Sequence, residues 1–223
     1  MIKAVLFDFD GTLLDRDQSV MKFVEMQYNR MNKWVGHIPK KIYITRFIEL
    51  DSRGYVWKDK VYQQLVNEFN ITGVTWEYLL RDYINEFKNS CVPFPHLQIM
   101  LEELKRNNIV LGMITNGYGQ FQMDNIKALG IEDFFKTILI SEWEGLKKPD
   151  IQIFKRALNQ LNVASNQSVF VGNHPVNDVK ASKNAGMKSI WKKDVQWDNV
   201  DADFTVNDLA EIPIVIKNLN WIK

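Results

Sequence analysis

A chain of 223 residues with 46% apolar and 25% charged side chains has the make-up of a folded globular protein with a sizeable core, which excludes intrinsic disorder. The formal net charge of +1 gives no electrostatic basis for a nucleic-acid or membrane-surface partner. A single cysteine, Cys91, excludes an intrachain disulfide, fits a reducing compartment, and with no histidine beside it reads as an incidental thiol rather than a nucleophile. No stretch approaches the roughly 20 apolar residues of a membrane helix, and the N-terminus does not read as a cleavable leader, so the expectation is a soluble, cytoplasmic protein.

The chain opens on a short apolar run, K-A-V-L-F at residues 3–7, whose Val and Phe favour a buried strand. It ends in two aspartates one residue apart, Asp8 and Asp10, followed at once by Gly11 and Thr12. Asp is depleted in strands and costly to bury unpaired. Carboxylates at the carboxyl end of a strand in an α/β protein point to ligand chemistry, although Asp-Gly also marks simple turns. From residue 18 to 87 the pattern is helical. Val20, Phe23, Val24, Gln27, Tyr28 and Met31 share one helical face, and residues 42–50, 60–69 and 75–87 make three further candidates. Thr75 suits an N-cap, with Glu77 in the first turn where negative charge is favoured. This helical insert of about 75 residues is close to a small domain in size.

Alternation begins after Pro93 and Pro95. Helices are expected at 97–105, 121–129, 150–161 and 179–184, and strands at 109–114, 137–140, 168–171 and 188–191. A last edge strand follows at 203–206, then a closing helix over 209–219 interrupted near Pro213. Such alternation predicts the α/β class, a parallel sheet covered by helices on both faces. No internal repeat or low-complexity tract interrupts it.

Each core strand runs into polar residues. The first ends in Asp8-Phe9-Asp10, the second in Thr115-Asn116-Gly117. After the third comes Gly145-Leu146-Lys147-Lys148-Pro149-Asp150, and after the fourth Gly172-Asn173-His174-Pro175-Val176-Asn177-Asp178. In a parallel sheet all four clusters lie at one edge. They supply carboxylates, a hydroxyl with amides, and a cation, the groups needed to handle a divalent metal and a phosphate.

These motifs, V-L-F-D-F-D-G-T-L, I-T-N-G, K-P-D and a G-N-x-x-x-x-D variant of the fourth, resemble those of the haloacid dehalogenase superfamily over nearly the whole chain. The resemblance implies a Rossmann-like core made of residues 1–15 and 93–223. Residues 16–92 resemble the inserted all-helical C1 cap, which in such proteins covers the site and chooses the substrate. The implied activity is hydrolysis of a small phosphorylated metabolite with Mg²⁺ as cofactor. Asp8 falls on the nucleophile that forms an aspartyl-phosphate, and Asp10 on the general acid/base, with its backbone carbonyl on a magnesium ligand. Thr115 falls on the hydroxyl that binds a phosphoryl oxygen, helped by the amide of Asn116. Lys148, the lysine directly before Pro149, falls on the residue that offsets phosphate and carboxylate charge, in preference to Lys147. Asn173 and Asp178 complete the implied metal set with Asp8 and Asp10.

Asn173 departs from the pattern, because the resemblance calls for an acidic metal ligand there. An amide oxygen can ligate Mg²⁺ but brings no charge. Retained but metal-sensitive activity, replacement by Asp178 or a water, and loss of activity all remain open. His174 reads as a hydrogen-bonding turn residue ahead of Pro175. In the insert, Arg46, Glu49, Asp51, Arg53, Lys58 and Lys60, mixed with Tyr43, Tyr55 and Trp57, read as solvated surface or as a lid lining. The alternatives to a phosphatase are a 2-haloacid dehalogenase, which needs neither Asp10 nor a metal, a phosphomutase, and a catalytically weak relative that binds a phosphorylated ligand or a protein.

Overall fold

The structure is a computed structural model that describes residues 1–221. Contacts divide the chain into two compact units, Met1–Asp15 with Pro93–Lys223, and Arg16–Val92.

The first unit is built on a parallel six-stranded sheet: β1 (Ala4–Phe7), β2 (Val110–Thr115), β3 (Thr137–Ile140), β4 (Ser168–Gly172), β5 (Lys188–Lys192) and β6 (Phe204–Val206), in the order β3-β2-β1-β4-β5-β6. Every strand of the middle four is buried almost along its whole length, as expected where helices cover both faces. Alternate side chains divide between the faces. Ala4 and Leu6 join Ile114, Leu139 and Phe170 in a core closed by Ile153, Phe154, Leu158 and Leu161. These last four lie on one side of the helix Ile151–Leu161, at the 3.6-residue period. On the opposite face Phe7 meets Phe135 edge-on, 6.3 Å between ring centres.

The order of the strands sets where chemistry can occur. From β1 the chain moves outward one way through β2 and β3, and the other way through β4, β5 and β6, so the direction reverses between β1 and β4. Loops on the two sides of such a reversal part and leave a crevice at the carboxyl ends of the strands. The register aligns Phe7 with Met113 on β2 and with Val171 on β4. Asp8 and Gly172 therefore emerge at one level of the same edge, with Thr115 one residue farther along β2.

Two expectations change. The closing helix, Glu211–Trp221, runs without a break. Pro213 is its third residue, in the first turn, where no intrahelical donor is required and the fixed φ of proline suits a helix. The helix expected from residue 179 begins earlier. Residues Pro175–Lys180 form a π-helical stretch that leads into Ala181–Asn184, with Pro175 at the start, where proline is favoured. The short helices Asn32–Val35 and Ser141–Glu144 have too few residues to show a period.

The second unit is all helical: Arg16–Arg30, Asn32–Val35, Lys40–Asp51, Lys58–Glu68 and Trp76–Glu86, with short 3₁₀ turns. Thr75 caps the last of these, its hydroxyl accepting from Tyr78 N at 3.3 Å. Phe23, Tyr83 and Phe87 pack ring to ring inside it, at 5.1 to 5.8 Å between centres. Part of the charged patch is not surface. Asp51 and Lys58 are buried and paired, and Arg16 closes on Asp51 through two bonds of 2.9 and 3.0 Å. The spacing of Asp51 and Lys58 across a turn concealed this pairing. Arg46 does bridge Glu49 and Glu68 on the outside.

A buried cation that loses its counter-charge destabilises a fold by about 3–5 kcal/mol, far more than an exposed pair contributes. Asp51→Asn is therefore expected to lower the urea midpoint by an amount equivalent to about 3–5 kcal/mol. A change below about 1 kcal/mol would place the pair in solvent.

Candidate active site

The site is assembled from four strand ends. Asp8 follows β1 and still donates its backbone N–H to Val171 O on β4 at 2.9 Å, so the sheet itself aims the side chain. The next residues turn sharply, with Thr12, Leu13 and Leu14 N–H groups all converging on Phe9 O. That turn returns Thr12 to the strand end, and its hydroxyl donates to Asp8 Oδ2 at 2.9 Å.

Lys148 is the centre of the arrangement. It is buried, whereas Lys147 is exposed. Its ammonium lies 2.7 Å from Asp8 Oδ1 and 2.7 Å from Asp178 Oδ1. Asn116 delivers it: the carboxamide donates to Lys148 O and accepts from Lys148 N, both at 2.9 Å. The side chain of Asn116 is thus a clamp on the Lys148 backbone, leaving its backbone N–H as the group at hand for an anion. Asp178 is fixed by the π-helical stretch, its Oδ2 accepting from His174 N at 2.8 Å. The Asp178 side chain lies flat against Gly172, where an added Cβ would come within 2.4 Å of it, so only glycine fits there.

One cation shared by two carboxylates leaves the charges unequal. Burial pulls the Lys148 ammonium toward neutrality, but Asp178 and then Asp8 more than reverse this and hold it charged above its ordinary range. Asp8 is under-supplied. Burial, the largest influence, pushes its carboxyl up to about 6 against the pull of Lys148, and the charge of Asp178 adds to the rise. A raised carboxyl and a cation at one crevice are the marks of a reactive site.

Thr115 and Asp10 are linked by a residue that motif reading passes over. Gln122, buried on the helix Gly119–Ala128, donates from Nε2 to Asp10 Oδ2 at 2.6 Å and to Thr115 Oγ1 at 2.9 Å. By accepting from Gln122, Thr115 keeps its own proton for another acceptor such as a phosphoryl oxygen. The same amide fixes the position of Asp10, whose Oδ2 is the acceptor. The only sequence signal for it was its place one helical turn past Thr115-Asn116-Gly117, and that says nothing about Asp10, 112 residues away.

Asn173 sits over the Asp8–Asp10 turn. Its carboxamide lies so close to Gly11 that a Cβ there would be 2.3 Å from Nδ2, and Gly11 has φ +80. Space and backbone both require glycine at that position. His174 is a turn residue, its Nδ1 accepting from Val176 N and Asn177 N at 3.1 Å each. Burial, then the nearby Lys148 charge, lowers its pKa.

Among the described residues no three His, Cys, Asp or Glu side chains form a ready-made metal cage. Mg²⁺ does not need one. It takes oxygen ligands, keeps several waters, and is held by one or two carboxylates together with a substrate phosphate. The donors here are carboxylate and amide oxygens with negative charge in excess of one lysine, and they fit that ion in kind.

The raised Asp8 pKa has a signed consequence for metal-free protein. A carboxyl raised in the folded state stabilises it below the unfolded pKa, near 4, and that stability is lost as pH rises through about 6. The loss amounts to about 3 kcal/mol. Asp8→Asn is expected to melt higher than the wild type above pH 6, with the gap closing toward pH 4. A gap that does not change with pH would contradict a raised Asp8.

The family model of haloacid dehalogenase-like hydrolases matches residues 5–192. A glyceraldehyde 3-phosphate phosphatase of Pyrococcus furiosus is 28% identical, over 98% of this chain and 95% of its own. Among solved structures, a 2-haloacid dehalogenase from Pseudomonas syringae is 26% identical with a TM-score of 0.65, covering 98% of this chain and 100% of its own. A protein described as a putative beta-phosphoglucomutase from Thermotoga maritima is 20% identical with a TM-score of 0.78, covering 98% and 100%, and shares the fold.

Proposed function

The chain belongs to the haloacid dehalogenase-like hydrolase family, and from that premise we propose that it is a Mg²⁺-dependent phosphatase that acts on a small phosphorylated metabolite through a phosphorylated Asp8. The observation that carries the reading is Lys148, held 2.7 Å from both Asp8 and Asp178 on the sheet edge where β2 ends in Thr115 and where Gln122 ties Asp10 to Thr115. The phosphatase activity named for the Pyrococcus furiosus relative supports the same class and makes three-carbon phosphate esters the first substrates to try.

The residues divide the work as follows. Asp8 attacks phosphorus through a carboxylate oxygen while the bond to the leaving alcohol breaks. Asp10 gives its proton to the departing oxygen, then takes one from the water that attacks the aspartyl-phosphate, releasing phosphate and restoring Asp8. Thr115 donates its hydroxyl proton to a phosphoryl oxygen, and Lys148 offsets the charge that gathers as phosphate meets carboxylate. Asp8, the Asp10 carbonyl, Asn173 and Asp178 are the groups that would hold Mg²⁺, which when bound offsets the negative charge of phosphate and nucleophile. Asp10 favours this reading over halide displacement, because a halide leaves without needing a proton. We assign the choice of substrate to the helical unit of residues 16–92, as its cap.

The test is phosphate release from p-nitrophenyl phosphate and a panel of small phosphorylated metabolites, with Mg²⁺ or with EDTA. Magnesium-stimulated release is expected, reduced by roughly 10⁴-fold or more in Asp8→Asn and by about 10²–10⁴-fold in Asp10→Asn. No metal-stimulated release from any ester would overturn the phosphatase reading, and halide release from a 2-haloacid in EDTA would replace it with dehalogenation.

A further inference from the structure

Asn173 is held from two sides. Its backbone carbonyl accepts from Trp191 Nε1 at 2.9 Å, and its side-chain Nδ2 donates to Asp194 Oδ2 at 3.0 Å. Asp194 lies two residues past the end of β5, on the same carboxyl edge of the sheet as the other site residues. Its own position is fixed: Oδ1 accepts from Gln196 N at 2.9 Å, and its carbonyl accepts from Trp197 N at 3.1 Å. The Trp197 ring in turn rests against His174, 5.2 Å between centres.

A carboxylate only accepts, whereas a carboxamide has one end that donates and one that accepts. Asp194 therefore decides which way Asn173 is turned. The NH₂ end is committed to Asp194, and Oδ1, the only side-chain atom of Asn173 able to meet a cation, is left to the other side. The same bond brings a full negative charge to within one side chain of a position where an amide brings none. It also polarises the amide and makes Oδ1 a stronger ligand, as hydrogen-bonded partners behind a metal ligand do. Asp178 is less suited to the task, since its two oxygens are already engaged by Lys148 and His174 N. The Asn173 carboxamide as a whole packs on Gly11, the residue directly after Asp10, with Nδ2 the nearer end and Oδ1 the farther.

We propose that Asp194 is the positioning residue that makes Asn173 a working ligand for a divalent cation, so that an amide and the carboxylate behind it replace a single acidic ligand. The inference rests on the Mg²⁺ reading above and adds to it where the missing charge comes from. Asp194 acts through Asn173 and forms no bond to the metal or the substrate.

Binding of Mn²⁺ alone, followed by the electron paramagnetic resonance signal of the free ion, tests this without any turnover. Asp194→Asn keeps the acceptor for Gln196 N and so preserves its turn, while melting curves without metal confirm folding. It is expected to weaken Mn²⁺ binding by about tenfold or more. The double variant N173D/D194N moves the carboxylate onto the ligand position itself and is expected to bind Mn²⁺ in the wild-type range. That recovery separates positioning from general damage, because both variants lack the Asp194 carboxylate. Binding by Asp194→Asn as tight as the wild type, or tighter, would overturn the inference and leave the metal reading intact. So would a double variant no better than Asp194→Asn. If the wild type itself binds no Mn²⁺, the metal reading falls and this inference with it.

Discussion

The arrangement depends on one buried ammonium between two carboxylates. Asp8 and Asp178 follow adjacent strands of a parallel sheet, in surroundings where an unpaired carboxylate costs several kcal/mol. Lys148, 140 residues from Asp8 and 30 from Asp178, makes their burial tolerable. One positive charge does not balance two negative ones, and the remainder appears as the raised Asp8 carboxyl. A site left short of positive charge and short of protons is poised to take a cation, and with it an anionic substrate. The cost falls on the stability of the metal-free protein, a trade expected where binding and reaction rather than packing set the residues.

Much of this was legible in the sequence because a parallel sheet converts order along the chain into position in space. All six strands stand within one or two residues of where they were predicted, since most of them are short apolar runs that end where polarity begins. The strand ends then place Asp8, Thr115, Lys148 and Asp178 at one edge of the sheet, and the structure brings Asp8, Lys148 and Asp178 into direct contact. Lys148 separates from Lys147 by burial, which the sequence signals only through the following proline.

What escaped the sequence has a common cause. Gln122 and Asp194 act through hydrogen bonds to residues 112 and 21 positions away, and neither belongs to a periodic pattern or a dense motif. The carboxamide of Asn116 turns out to grip the Lys148 backbone, a use that depends on how two loops meet. The pairing of Asp51 with Lys58 is hidden for the opposite reason, since two opposite charges seven residues apart look like ordinary surface until the backbone between them turns inward. Pro213 was misleading because proline breaks a helix only beyond its first turn. In each case the residue types were visible and the partner was not.

The claim that most of the chemistry turns on is that Asp8 accepts the phosphoryl group. The direct measurement is rapid acid quench during turnover of a phosphate ester, followed by proteolysis and mass analysis of the N-terminal peptide. The account predicts a single acid-stable phosphoryl group on the peptide that contains Asp8, absent in Asp8→Asn and accumulating in Asp10→Asn if any turnover begins. Phosphate released by a quenched enzyme that never carries phosphate on that peptide would contradict it.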